Sequence, residues 1–132
     1  MKIVSTIVSF LIAITITGCK KKVPDATKEN TVVTITFHSP VTGDIWQKGS
    51  ETHIEAIIDA DAMMGGWTTL IMNADKSDTI DVYTEYYEQT QYLAHYHWVP
   101  PSDTPDTLMI AVQALDKQGA LLKEGLTSVI CN

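Results

Sequence analysis

The chain has 132 residues, of which 9 are basic, all of them lysine, and 16 are acidic, so its formal net charge is −7. This length suits one folded domain of ordinary size but not two. From residue 31 onward, four lysines stand against fourteen acids, a formal net charge of −10. A domain this acidic, without arginine, lacks the bidentate cations and the positive field that nucleic acids and phosphate ligands require.

The chain begins with a charged residue and an apolar run that ends at Cys19. Lys2 precedes 16 uncharged residues, five of them Ser or Thr, and the run closes in Ile16-Thr17-Gly18-Cys19. A membrane-spanning helix needs about 20 strongly apolar residues, whereas a short apolar run after a charged start is typical of a signal peptide. This run resembles the signal peptide and lipobox of bacterial lipoproteins, in which a diacylglycerol is attached to the cysteine. The resemblance implies that residues 1–18 are removed and that Cys19 is lipidated.

The segment after Cys19 is polar. Residues 20–30 (KKKVPDATKEN) contain one valine, one proline and mostly charged side chains, so residues 19–30 are predicted to form a flexible tether. Three lysines directly after Cys19 either rest against anionic head groups or only keep the tether soluble. We expect a lipid-anchored protein of the bacterial cell envelope, in the outer membrane. Both the periplasmic and the surface face remain open, and the lysines favour the periplasmic one.

Seven runs with β-type patterning follow, and none of them is helical. They cover residues 31–38, 51–59, 67–73, 79–88, 90–99, 108–114 and 120–131. Apolar and β-branched residues alternate in them, and residues 59–66 and 100–106 read as loops. The close spacing of runs 79–88 and 90–99 predicts a β-hairpin. The sequence therefore predicts an all-β, Ig-like or fibronectin-III-like antiparallel two-sheet sandwich over residues 31–132, with a small barrel as the alternative.

Three residues near the C-terminus have individual predictions. Gly119 ends the turn signal Asp116-Lys117-Gln118-Gly119 and supplies its positive φ. Gly125 interrupts the last strand and predicts a bulge or bend. If Cys19 is lipidated, Cys131 has no partner for an intramolecular disulfide. We therefore expect Cys131 to pack as a small apolar residue on the last strand.

Residues 37–119 contain several turn and core motifs. They are Ser39-Pro40 with Gly43, Trp46 with Gly49, His97-Trp98-Val99-Pro100, and Leu108 to Ala114 followed by Asp116 to Gly119. In these motifs the chain resembles the Ig-like domains of unknown function carried by lipoproteins of Bacteroidota-type bacteria. The resemblance implies a sandwich fold and extracytoplasmic placement. It implies no activity, because this fold hosts many functions.

His95 and His97 are candidate metal ligands. Residues i and i+2 of a strand share one face, roughly 6–7 Å apart. If the hairpin register brings Asp81 or Glu85 beside them, the set would suit zinc or a related ion. His53, next to Glu55, is a further candidate ligand from another strand. The alternative is a pair of histidines on a solvated sheet face, with no ion bound.

The tyrosines suggest a second kind of site. Tyr83, Tyr87, Tyr92 and Tyr96 cluster on the predicted hairpin, and a sandwich strand needs only one face for its core. Exposed rings could stack on sugars or insert into a partner protein. The alternative is that aromatic residues are simply favoured in strands and in cross-strand pairs.

No catalytic residue is predicted. The sequence contains no Gly-x-Ser-x-Gly, no glycine-rich phosphate loop and no usable Cys-His pair. We therefore expect a lipid-anchored binding or structural module for an envelope protein or a glycan, without nucleic acid and without catalysis. Metal binding through His95 and His97 is the alternative function, with zinc or copper as its only cofactor.

Overall fold

The computed structural model describes residues 22–132, which form eight β-strands and no helix, and hence no helix able to cross a membrane. The strands are β1 (Val33–Ser39), β2 (Asp44–Trp46), β3 (Thr52–Met64), β4 (Gly66–Asn73), β5 (Thr79–Glu85), β6 (Gln89–Trp98), β7 (Thr107–Leu115) and β8 (Leu121–Cys131). The predicted signal peptide and its lipidation residue Cys19 lie outside the described residues.

The strands form two packed sheets. One has three strands in the order β1-β3-β6, and the other has five in the order β2-β8-β7-β4-β5. All neighbours are antiparallel except β2 and β8, which run parallel. The predicted sandwich is confirmed, with one strand more than expected, because Asp44–Trp46 adds a short edge strand.

The core fills the space between the sheets. Every second residue of the central strands points inward and is buried, among them Ile54, Ile58, Tyr92, Trp67, Ile71, Ile110 and Val112. Burying one large apolar side chain contributes about 1.5–3 kcal/mol. The period-2 pattern of the sequence is therefore what holds the two layers together.

The predicted loop over residues 59–66 is wrong. β3 continues to Met64 and β4 begins at Gly66, so only Gly65 separates them. Alternation persists through the segment, with Ala62 and Met64 buried and Asp61 exposed. A Cβ on Gly65 would lie 2.3 Å from the backbone oxygen of Asp116, so the tight connection requires a residue without a side chain.

The predicted hairpin of residues 79–88 and 90–99 is also wrong. β5 pairs with β4 at the edge of the five-stranded sheet, while β6 pairs with β3 at the edge of the three-stranded sheet. Residues 86–88 cross from one sheet to the other. Closeness in sequence does not decide pairing here, because three residues are long enough to cross the roughly 10 Å between stacked sheets.

The folded domain begins earlier than residue 31. Asp25 forms a parallel bridge with Met63: the Ala26 N–H donates to the Met63 oxygen, and the Met63 N–H donates to the Pro24 oxygen. Ala26 is buried in the core, and Lys117 Nζ lies 2.8 Å from Asp25 Oδ1. Pro24 to Ala26 therefore belong to the sandwich and not to the predicted tether.

The two late glycines differ in outcome. Gly119 has a φ of +81°, as the turn signal predicts, and Asp116 Oδ1 accepts hydrogen bonds from the turn backbone. Gly125 forms no bulge but pairs regularly with Val112. A Cβ at Gly125 would lie 2.8 Å from Ile35 Cγ2, so its bare backbone is what lets β1 approach β8.

Cys131 lies where the sequence places it. It ends β8 and is fully buried. Burial raises the pKa of its thiol, so the residue packs as a small apolar group rather than acting as a nucleophile.

Candidate functional site

All four histidines lie on the outer face of the three-stranded sheet. His53 of β3 and His95 and His97 of β6 are exposed, and His38 is exposed near the end of β1. They alternate with inward residues such as Ile54 and Ala94, so strand periodicity turns each imidazole to solvent. We call these four histidines, together with Glu51 and Glu55, the histidine face.

Three of the imidazoles are mutual neighbours. His53 of β3 is the register partner of His97 of β6, and His95 lies two residues before His97 on β6. The ring centroids of His95 and His97 are 4.6 Å apart, and those of His53 lie 5.8 Å from His95 and 5.9 Å from His97. Predicting His95 and His97 as one pair is consistent with this arrangement, and strand pairing adds His53 as the third ring.

Two carboxylates border these rings. Glu51 Oε1 lies 3.1 Å from His97 Nδ1. Glu55 is the register partner of His95, and its Oε1 lies 3.3 Å from His38 Nδ1. Both pairs are largely solvent-exposed, so each contributes little to stability. Their effect is on orientation, since a carboxylate at Nδ1 fixes the imidazole and leaves Nε2 toward solvent.

The carboxylates predicted to complete a metal site lie elsewhere. Asp81 and Glu85 are on β5, in the opposite sheet from His95 and His97. They bind tyrosines instead: the Tyr96 hydroxyl donates to Asp81 and the Tyr83 hydroxyl donates to Glu85, each at 2.6 Å. The cause is the absence of the predicted hairpin.

The three rings are close, but their nitrogens do not yet converge. In the part of the chain that the structure describes, residues 22–132, no group of three His, Cys, Asp or Glu side chains could hold a metal ion as these side chains stand. Imidazoles on a solvated sheet face exchange rotamers within nanoseconds. The backbone therefore sets which three rings are neighbours, and side-chain rotation sets the direction of each nitrogen.

A shallow groove adjoins this triangle. It has a volume of about 300 Å³ and is lined by Ser39, Ile45, Trp46, Gln47, Ser50, Glu51, Thr52 and His53. Glu51 and His53 thus face both the histidine triangle and the groove. Trp46 and Trp98 form a tilted ring pair, with centroids 6.1 Å apart.

The four predicted tyrosines do not form one exposed row. Tyr92 is only 1% exposed and its hydroxyl donates to the Tyr87 backbone oxygen, so it is a core residue unable to stack on a ligand. Tyr83 and Tyr96 are half-buried and stack on each other across the two sheets, with centroids 4.7 Å apart. Tyr87 is exposed in the loop beyond β5, beside the still more exposed Tyr86.

The Tyr83–Tyr96 stack closes one side of the sandwich. The hydrogen bond to Asp81, burial and the charge of Asp81 together raise the pKa of Tyr96 to about 12. The hydrogen bond to Glu85 likewise raises the pKa of Tyr83. These phenols hold the edge strands β5 and β6 together, which is a structural task.

The outer face of the five-stranded sheet has the opposite character. A row of register partners crosses four strands: Val82, Leu70, Ala111 and Leu126. Ala111 is fully buried, although no second layer among residues 22–132 covers it. We call this row the apolar face. The sequence does not indicate this row, because period-2 patterning identifies the inward residues and does not distinguish the outward ones.

No protein-family model matches the chain, and no curated protein matches it. Among solved structures, the fibronectin(III)-like modules of Clostridium thermocellum CbhA share 16% identity, with a TM-score of 0.52 over 76% of this chain and 46% of that one. Spo0M, a sporulation control protein of Bacillus subtilis, shares 11%, with a TM-score of 0.56 over 77% and 49%. A CARDB domain from Pyrococcus furiosus, solved in complex with di-metal ions, shares 10%, with a TM-score of 0.48 over 77% and 92%.

The chain spans about half the length of the first two of these structures. At such low identity, the likeness establishes the fold alone. That fold is a fibronectin-III-like sandwich.

Proposed function

We propose that this protein is a lipid-anchored, extracytoplasmic binding module without catalytic activity, and that the histidine face is its binding surface. The apolar run ending at Cys19 supports the anchor, and the fibronectin-III-like fold supports a module. One observation carries the choice of surface: all four histidines of the chain share one exposed sheet face. Folding does not require this, since any polar residue serves on the solvent side of a strand.

The position of the N-terminal segment supports the same surface. Asp25 docks at Met63, near the end of β3, whereas His53 lies ten residues earlier in the same strand. That separation corresponds to roughly 30 Å along the strand. From Cys19 to Pro24 the chain spans at most about 18 Å. A lipid on Cys19 would therefore leave the histidine face clear of its own anchor.

A protein partner suits this surface better than a glycan. Sugar-binding sites rely on exposed aromatic ring faces, and Tyr83 and Tyr96 use theirs on each other. The histidine face offers imidazole and carboxylate groups around the exposed Leu93. Such a mixture of hydrogen-bonding groups with one apolar side chain fits the polar surface of a folded protein.

The anchor is tested by replacing its cysteine in the full chain. We expect wild-type protein to incorporate a labelled fatty acid and to sediment with membranes, and Cys19→Ala to do neither. Membrane association and labelling that persist in Cys19→Ala would overturn the anchor.

The surface is tested with a photo-crosslinking amino acid in living bacteria. It is placed either at Leu93, on the histidine face, or at Val82, on the apolar face, since both side chains are more than half exposed. We expect a discrete cross-linked product from position 93 and none from position 82. Products from position 82 alone would move the binding surface to the apolar face, and products from neither would overturn a protein partner.

A further inference from the structure

The structure assigns a binding site for a divalent transition-metal ion to His53, His95 and His97. Three imidazole nitrogens hold the ion and Glu51 orients His97, and the remaining coordination position is open to solvent or to a group of a bound partner. The inference rests on the proposed function in one respect, since it names a ligand of the same histidine face.

The spacing of the three histidine rings is close to that of a metal site. In a tetrahedral site with Zn–N distances of about 2.0–2.1 Å, the centroids of coordinating imidazoles lie about 5 Å apart. The three separations in this protein, 4.6, 5.8 and 5.9 Å, bracket that value. The rings therefore lie near the spacing of a three-histidine site, and rotation of the side chains is needed to bring the nitrogens together.

The three histidines stand on regularly paired strands. His53 and His97 are directly opposed, and the pairing of β3 with β6 is regular from Thr52 through Asp59. Ile54 and Ala94, which alternate with these histidines, are fully buried. The ligands thus stand on two paired strands anchored in the core, a more accurate support than a loop.

Two carboxylates lie next to the three histidines. Glu51 Oε1 sits 3.1 Å from His97 Nδ1, the carboxylate–histidine pairing that orients metal ligands. Glu55 stands opposite His95 and supplies a carboxylate within one residue pair of the triangle. Two acids next to three imidazoles also offset the charge of a divalent cation.

The donor set defines the class of ion. Imidazole with carboxylate suits zinc, copper(II) and nickel(II), whereas calcium and magnesium prefer all-oxygen sites and copper(I) prefers sulfur. The one thiol among residues 22–132, Cys131, is buried in the core. Met72 and Met109 pair with each other on the five-stranded sheet, away from the histidines.

The site should bind with moderate affinity. Three exposed side chains lose rotamer freedom when they close on the ion, which weakens binding. We therefore expect a zinc dissociation constant on the order of micromolar, rather than the far tighter binding of a preformed structural zinc site.

Calorimetric titration of the full chain in detergent with zinc chloride tests the site. We expect one zinc per chain, and at least tenfold weaker binding in each of His53→Ala, His95→Ala and His97→Ala. His38→Ala is the matched control: it removes an exposed histidine of the same face that has no ring contact with the other three. Its affinity should match that of wild type.

Two further readouts separate the site from general attraction to an acidic surface. X-ray absorption of the zinc complex should show imidazole scattering from about three ligands, and Glu51→Gln should weaken binding less than removal of a histidine does. No zinc uptake by wild type, or equal loss in His38→Ala, would overturn the site. Cross-linking from position 93 without zinc binding would support the protein-binding surface and reject the metal site. Zinc binding without a cross-link would support the metal site and reject the protein partner.

Discussion

The two outer faces of the sandwich arise from the same alternating pattern and yet differ in kind. On the three-stranded sheet the outward positions carry histidines, carboxylates and threonines, together with Ile57 and the exposed Leu93. On the five-stranded sheet the outward row from Val82 to Leu126 contains no charge, and its Ala111 is fully buried, although no other sheet of the described chain lies above it. A small residue is covered by its larger cross-strand neighbours, so burial on a sheet face depends on side-chain size as well as on layers.

The largest difference between the two faces should appear when a charge is placed on each. Ala111→Asp puts a carboxylate among Leu70 and Leu126, and we expect the free energy of unfolding to fall by about 2–4 kcal/mol. Thr36→Asp adds the same group at an exposed position of the other sheet, where a change within about 0.5 kcal/mol is expected. Urea unfolding followed by tryptophan fluorescence measures both, and equal losses would remove the distinction between the faces.

A smaller effect is expected where the two sheets meet through β1 and β8. Gly125→Ala adds a methyl group 2.8 Å from Ile35 Cγ2, and overpacking of this kind costs about 1–3 kcal/mol. Combining it with Ile35→Ala, which removes the clashing atom, should cost less than the sum of the two single changes. Strict additivity in a double-mutant cycle would contradict the close approach.

The smallest effect concerns the opposite side, where Tyr96 of one sheet donates to Asp81 of the other. The pKa of Tyr96 is raised from 10.0 to about 12 in the folded protein. A raised phenol pKa means that the folded state holds the proton more tightly, so this stabilisation is complete below pH 10 and is lost as the pH rises through 12.

Absorbance at 295 nm during an alkaline titration checks this link between the sheets. Asp81→Asn should bring the pKa of Tyr96 back toward 10 and should flatten the loss of stability between pH 10 and 12. A Tyr96 that titrates normally in the wild-type protein would rule out the hydrogen bond between the sheets.

Local patterning predicted most strands and the sandwich, because alternation, turn residues and strand length are encoded within a few neighbouring positions. It also put His95 and His97 on one face. It could not bring His53 beside them, since that depends on pairing between residues more than forty positions apart. The predicted hairpin and the predicted exposure of Tyr92 were wrong for the same reason: the partners of a strand in a sheet are selected by the whole core.

The docking of Pro24 to Ala26 has a mechanical consequence. With a lipid on Cys19 and a partner on the histidine face, tension would enter the domain through Ala26 and β1 and leave from the opposite end of β3. β1 and β3 are antiparallel neighbours, and their hydrogen bonds run across the strands. The load would therefore act on the whole β1–β3 ladder in shear, instead of opening its hydrogen bonds one at a time. A module arranged in this way resists being pulled from its membrane side.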